Sequence, residues 1–533
     1  MTPMRWIAAI VGATLMCAAV QADELSTQVT TAAGMVAGAS DHGVQYFKGI
    51  PFAQPPVGKL RWRAPLPVKP WHGVRQATQY GHDCMQLPFP PDDAPIRTKP
   101  SEDCLVLNVW RPAAASATAL PVMVWIYGGG FTIGGTSPAA YDGSTFARDG
   151  VILVSMNYRL GRFGFFAHPA LSAETPDGLL GNYGYMDQIA ALKWVQQNIA
   201  AFGGDPRRVT LFGESAGGGS VHVLMTTALA KGLFAAAVVE SGGGRGSLMG
   251  PRRLSGTDMI TGTPSAETIG VNFAKSQGIE DLGSKGLAKL RALSADKVQA
   301  GVGFGAPRQP GPPTSAGPMA DGQLVITDPG VIYRAGGQAK VPFMIGTNTA
   351  DAGGSGATTM ADLFKPFGAH AAQAQAAYDP DKNGDVRASG GRVGMDAVMT
   401  EPARFVVATL SAQGQKVFEY RFGYVVDSMR ETWKTGTPHA KEIPFVFDTL
   451  TARYGAAVTA HDAAVAKATH AYWVNFGKFG DPNGAGLPHW PAYAAASDQL
   501  MVFQADVAAA AQKDPWNVRL DLAAQRAEAP VKP

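Results

Sequence analysis

The run Gly213-Glu214-Ser215-Ala216-Gly217 has the form G-x-S-x-G. It follows the apolar segment Val209-Thr210-Leu211-Phe212 and precedes small residues that can turn into a helix, the strand–turn–helix setting of a nucleophile elbow. Such a turn needs minimal side chains two residues before and after the serine, which Gly213 and Gly217 supply, and it leaves the hydroxyl projecting. A serine hydroxyl is a weak nucleophile near neutral pH. It needs a base to take its proton, an acid to orient that base, and donors aimed at the oxyanion formed on attack.

Candidates for each role occur elsewhere in the chain. Tyr127-Gly128-Gly129-Gly130-Phe131 ends an apolar run, and glycines let backbone N–H groups approach a substrate without a side chain in the way. Gly129 and Gly130 are the expected donors, joined by Ala216, the residue after the serine. A glycine turn kept only for packing is the plainer alternative. Of ten histidines, His439 stands out, in a turn-forming Thr437-Pro438-His439 segment downstream of the serine. His222 lies seven residues past Ser215, on the expected exit helix, and should point elsewhere. Asp351 follows the strand-like run Val341 to Ile345, where functional loops of open α/β sheets gather. The order nucleophile, acid, base is then Ser215, Asp351, His439. Glu214 lies inside the turn, beside the serine. An imidazole base loses activity as pH falls through ~6.5. No H-E-x-x-H or Cys/His cluster points to a metal, and no cofactor is expected.

These residues need a scaffold that gathers strand ends. Pro121 to Tyr127 and Val151 to Ser155 are nearly continuous apolar runs, the pattern of strands buried on both faces. Val209 to Phe212, Phe234 to Val239, Val341 to Ile345 and Val417 to Tyr420 are further strands, and Gly184 to Asn198 has helical spacing. The alternation predicts an α/β fold with a mostly parallel sheet. Phe47 to Pro67 is proline-rich and reads as neither helix nor central strand. The stretch 242–328 reads as an insertion over the sheet rather than a second domain, and with the segment Gly301 to Pro318 should line the substrate pocket. The tail after Trp516 is expected to fray.

Composition narrows the class. The chain has 533 residues, 46% hydrophobic and 16% charged, with 64 glycines and no linker-like segment, which fits one large loop-rich globular domain over 23–533. A net charge of +3 without a basic aromatic cluster argues against nucleic acid. Arg5 followed by apolar Trp6 to Val20 and then Val20-Gln21-Ala22 reads as an export signal over 1–22, cleaved after Ala22. The run is too short and wrongly flanked for a membrane anchor. Secretion or a periplasmic location follows. Of three cysteines Cys17 lies in that leader, leaving Cys84 and Cys104 as one disulfide or as two buried thiols.

Longer motifs carry a family resemblance. Phe47-Lys48-Gly49-Ile50-Pro51-Phe52-Ala53, Glu102-Asp103-Cys104-Leu105-Val106-Leu107-Asn108 and Phe202-Gly203-Gly204-Asp205-Pro206 through Gly217 resemble type-B carboxylesterases, the α/β-hydrolases that include cholinesterases and p-nitrobenzyl esterases. The resemblance spans nearly all of the chain beyond the leader. It implies an α/β-hydrolase fold, a serine esterase acting on a small-molecule ester, Ser215 as nucleophile, His439 as base, a Cys84–Cys104 disulfide, and Ser241 in Glu240-Ser241-Gly242 as a hydroxyl near these residues, with a buried structural serine as the equal alternative. Two departures stand out. The family most often has Glu in an Asn-x-Asp-Glu-Gly pattern where Asn348-Thr349-Ala350-Asp351-Ala352 stands here. The Cys84–Cys104 loop also lacks the tryptophan that cholinesterases use for choline. The competing readings are a non-catalytic binding relative and an amidase or thioesterase with the same triad. Three arginines between Arg245 and Arg253 read as a solvated loop; polyanionic esters enter only if Arg245, Arg252 or Arg253 faces the pocket. Oligomeric state is not legible from the chain.

Overall fold

The run that ends in three glycines and the run that feeds the elbow become adjacent parallel strands, Leu120–Ile126 and Gly204–Glu214, with Phe212 beside Trp125 and Gly213 beside Ile126. The structure is a computed structural model describing residues 24–246, 252–258, 262–305, 310–504 and 509–529. The expected leader, 1–22, lies outside the described residues.

These two strands sit inside an 11-stranded sheet. Ile152–Met156 pairs with Leu120–Ile126 on one side. Ala236–Glu240, Phe343–Asn348, Val417–Phe422 and Gln499–Phe503 follow the nucleophile strand on the other, all parallel. Antiparallel strands extend both edges. Every residue from Pro121 to Ile126 and from Ala236 to Glu240 is buried, so helices and loops cover both faces, as unbroken apolar strands require. The chain steps from Leu120–Ile126 outward to Ile152–Met156, then returns past it to Gly204–Glu214. Connections therefore diverge between the two central strands, and a crevice opens at their carboxyl ends. Open α/β sheets place their ligands there, and both the glycine loop and the elbow begin there.

Several boundaries differ from expectation. Phe47 to Pro51 is strand after all, the second half of Val44–Pro51; it pairs with Val106–Pro112, while Ala39–Asp41 pairs only with the first half, residues 44–46. The prolines begin only at its last residue, so the ladder keeps its N–H donors. The ladder register shifts between Phe47 and Ile50. Over its described residues the tail does not fray. Asn517–Glu528 is a helix that buries Leu520 and Leu522. Arg519 fastens it, lying 3.8 Å from the Trp516 ring and 2.7 Å from Asp396. The 242–328 stretch carries helices Ala266–Ser276, Ser284–Arg291 and Ala295–Gln299. A second helical block, with Val386–Met395 and Glu401–Ala412, separates Phe343–Asn348 from Val417–Phe422; the sequence reading passed over it.

Candidate active site

The elbow is as tight as its glycines suggest. Ser215 has φ 54° and ψ −120°, a conformation rarely held by a residue with a Cβ. Its N–H donates to the Glu240 carbonyl at 2.8 Å, and its carbonyl accepts from Gly219 at 2.8 Å as the Ala216–Thr226 helix starts. A Cβ on Gly217 would stand 1.9 Å from the Ile126 carbonyl oxygen, and one on Gly213 would stand 2.7 Å from Gly217 backbone. Backbone cannot retreat from either position, so neither glycine can be replaced without opening the turn. The glycine loop presses on this elbow: a Cβ on Gly128 would lie 2.9 Å from Ser215 Cβ. Gly129 and Gly130 have φ 98° and 60°, which brings bare backbone to the crevice. Gly128, Gly129, Ser215, Glu214 and His439 line one pocket of about 220 Å³.

His439 arrives from a loop stapled to the acid's loop. Ala350 N–H donates to Thr437 O at 2.9 Å, and Asn348 Nδ2 donates to Pro438 O at 2.8 Å. The imidazole spans the two groups expected to flank it, with Nε2 2.9 Å from Ser215 Oγ and Nδ1 2.5 Å from Asp351 Oδ1. Asp351 is fully enclosed. Its carboxylate also accepts from Ser241 Oγ at 2.6 Å, Asn348 N–H at 2.8 Å and Ala352 N–H at 2.7 Å. Burial alone would raise this carboxyl, but His439 and these donors outweigh it and hold it below the usual carboxylate range. Ser241 follows the Ala236–Glu240 strand directly, with φ 46°.

Glu214 is closer to the chemistry than its neighbour-of-serine position announces. Its Oε1 lies 3.2 Å from His439 Nε2. Glu442, which no motif singled out, accepts a short hydrogen bond from Asn348 Nδ2. Burial raises both carboxyls above their ordinary range, and each is raised further by neighbouring acids. Burial pulls His439 down, but Glu214 and then Asp351 outweigh it and hold the imidazole above its ordinary value. A base that must be neutral to accept a proton then works later on the pH scale than ~6.5. We expect kcat/KM for a neutral ester to climb with pH along a limb above that value. In Glu214→Gln the limb should move down by about 1–3 units, because a nearby carboxylate favours the imidazolium by that much. A pH–rate profile of both proteins checks it; an unmoved limb refutes the assignment.

Other candidates go elsewhere. His222 bonds Tyr333 Oη at 2.7 Å and the Gly243 carbonyl at 3.2 Å, and burial pushes it down to about 4, so it is a neutral structural residue. Arg245 is spent on Glu401 and Glu528. Cys84 and Cys104 form a disulfide, and its loop sends Phe89 to the pocket, 5.2 Å edge-on from Phe304 of the insertion. A second cavity lies along the exit helix, lined by Phe131, Gly219, Gly242 and Met319, so the insertion contributes to both. Glu442, Lys441 and Arg453 escaped the sequence reading. Glu442 follows His439 by three residues, a hint only once the histidine is placed.

The profile of the Carboxylesterase family matches residues 25–520. A para-nitrobenzyl esterase of Bacillus subtilis (strain 168) is 34% identical over 90% of this chain and 95% of its own length. A fumonisin B1 esterase of Sphingopyxis macrogoltabida is 33% identical over 93% of this chain and 90% of its own. Human cocaine esterase is 33% identical over 88% of this chain and 87% of its own. A solved PNB esterase superposes with TM-score 0.77 at 30% identity, covering 93% of this chain and 99% of that one.

Proposed function

This chain belongs to the carboxylesterase family and has its α/β-hydrolase fold, and from that premise we propose that it hydrolyses esters with Ser215 as nucleophile, His439 as base and Asp351 as its orienting acid. The protein is a carboxylesterase acting on small-molecule esters; the proposal concerns how. Ser215 Oγ attacks the ester carbonyl carbon while His439 Nε2 takes its proton. Charge passes to the carbonyl oxygen, which the N–H groups of Gly129, Gly130 and Ala216 receive. Asp351 accepts from Nδ1–H, which keeps Nε2 free as the acceptor and steadies the imidazolium. As the tetrahedral intermediate collapses, the C–O bond to the alcohol breaks and Nε2 returns the proton to the departing oxygen. Water then attacks the acyl-enzyme, giving a proton to Nε2, and Ser215 recovers it as the acid leaves.

The observation that carries this reading is the unbroken line Ser215 Oγ, His439 Nε2, His439 Nδ1, Asp351 Oδ1, with contacts of 2.9 Å and 2.5 Å, built on a serine held at positive φ. Rapid mixing with a p-nitrophenyl ester tests it. A burst of p-nitrophenol equal to the protein present is expected, with a fluorophosphonate labelling the Ser215 peptide. Label on another residue, with no burst, refutes it. Export of the mature chain belongs to the same proposal, supported by the leader pattern and by a disulfide that an oxidising compartment sustains.

A further inference from the structure

Two cations line the catalytic pocket together with Ser215 and His439: Lys441, two residues beyond the histidine, and Arg453. Neither is a free surface charge, since their side chains are only 14% and 16% exposed. Both converge on a single carboxylate. Asp93, on the disulfide loop and 41% exposed, forms a close ion pair with Lys441 and lies 2.5 Å from Arg453 Nη2. Arg453 Nη1 also reaches the Asp93 carbonyl at 3.3 Å, while its Nε is buried with no hydrogen-bond partner. The next acid, Asp92, has an oxygen accepting from Ala94 N–H at 2.9 Å. Burial and the adjacent Arg453 pull Lys441 down to about 8, against the opposing pull of Glu442 and Asp92. A largely buried ammonium and a guanidinium sharing one rim carboxylate still offer donors to a second anion.

We propose that Lys441 and Arg453 form a carboxylate-reading subsite inside the catalytic pocket, that Asp93 holds its place between turnovers, and that the preferred substrates are esters carrying a free carboxylate. The inference rests on ester hydrolysis at Ser215. Phe89 and Phe304 line the same pocket, so the ester body would meet aromatic edges while its charge meets the cation pair. A substrate carboxylate displaces Asp93 to solvent, where it is already partly exposed, and no buried charge is left unpaired.

Matched ester pairs test this. One arm places the carboxylate on the acyl half, p-nitrophenyl hemiglutarate against p-nitrophenyl valerate. The other places it on the alcohol half, the butyrate ester of 3-hydroxybenzoate against that of 3-methylphenol. In the unsubstituted protein, kcat/KM should favour the anionic member in at least one arm, which also identifies the half that is read. Lys441→Met and Arg453→Met should each lower that anionic-to-neutral ratio about 10- to 100-fold, the effect of losing a charged hydrogen bond. Asp93→Asn should raise it. The neutral ester is measured on the same preparation, so the ratio does not depend on how much of a variant folds. A wild-type ratio at or below one in both arms overturns the proposal, as does a ratio that both cation variants leave unchanged. Asp93→Asn losing both activities alike overturns it too, because Asp93 would then be only a latch for the disulfide loop. Fluorophosphonate label on a residue other than Ser215 is a separate result and speaks against the catalytic assignment instead.

Discussion

Replacing Ser215 with alanine should lower kcat for a p-nitrophenyl ester by a factor on the order of 10⁶, the size of loss seen when a triad serine is removed. The substitution takes away one oxygen and little else. Alanine keeps the Cβ, so the strained φ of 54° costs no more than before. The Ser215 N–H bond to Glu240 and the carbonyl bond to Gly219 are both backbone bonds and survive. Circular dichroism and the melting temperature should therefore match those of the unsubstituted protein. The residual rate should come from the oxyanion donors and His439 acting on water. A variant that folds and still turns over within tenfold of the original would show that the chemistry occurs elsewhere.

Asp351→Asn should cost a factor of about 10⁴ in kcat, the loss expected when the base is held in the wrong tautomer. The physical reason can be followed atom by atom. Both carboxylate oxygens face donors: Oδ1 meets His439 Nδ1 and the Ala352 N–H, and Oδ2 meets Ser241 Oγ and the Asn348 N–H. An amide must put its NH₂ group at one of these positions. On the Oδ1 side it opposes Ala352 N–H and makes Nδ1 an acceptor, so Nε2 carries the proton and cannot take one from Ser215. On the Oδ2 side it confronts the Asn348 N–H. Either way a buried donor is left facing a donor. The pH–rate profile separates this from simple unfolding, since the surviving activity should recover at high pH, where hydroxide or an ionised serine needs no base. A variant with near-normal kcat would remove Asp351 from the triad. It would also leave the usual family glutamate position without a substitute in this chain.

Much of the site was legible because it depends on local sterics. Gly213 and Gly217 are glycines because a Cβ there meets backbone, and such a constraint can be read from residue type alone. The apolar runs at Pro121 and Val209 announce strands buried on both faces, the usual pattern of a mostly parallel sheet; that the two are neighbours comes from the structure. Chain order then puts Asp351 just past the later strand Phe343–Asn348 and His439 on the long loop after Val417–Phe422. The Phe47 to Pro51 strand and the terminal helix were misread because the deciding contacts are distant in sequence. The first is held by pairing with Val106–Pro112, the second by Arg519 meeting Asp396. Proline content and tail position carry no record of either partner.

By itself, then, the sequence pointed to the tight turn at Ser215, the glycine loop and the chain order Ser215, Asp351, His439, since residue types alone show which side chains a tight turn, a strand or a bare backbone approach can tolerate. Only the tertiary structure decided the electrostatics around them. It drew Glu214 to 3.2 Å from His439, consumed Arg245 in pairs with Glu401 and Glu528, and left Lys441 and Arg453 converging on Asp93 in the catalytic pocket. Charge–charge energies depend on distance and burial, and residues hundreds of positions apart acquire both only when the sheet and its loops close around the crevice.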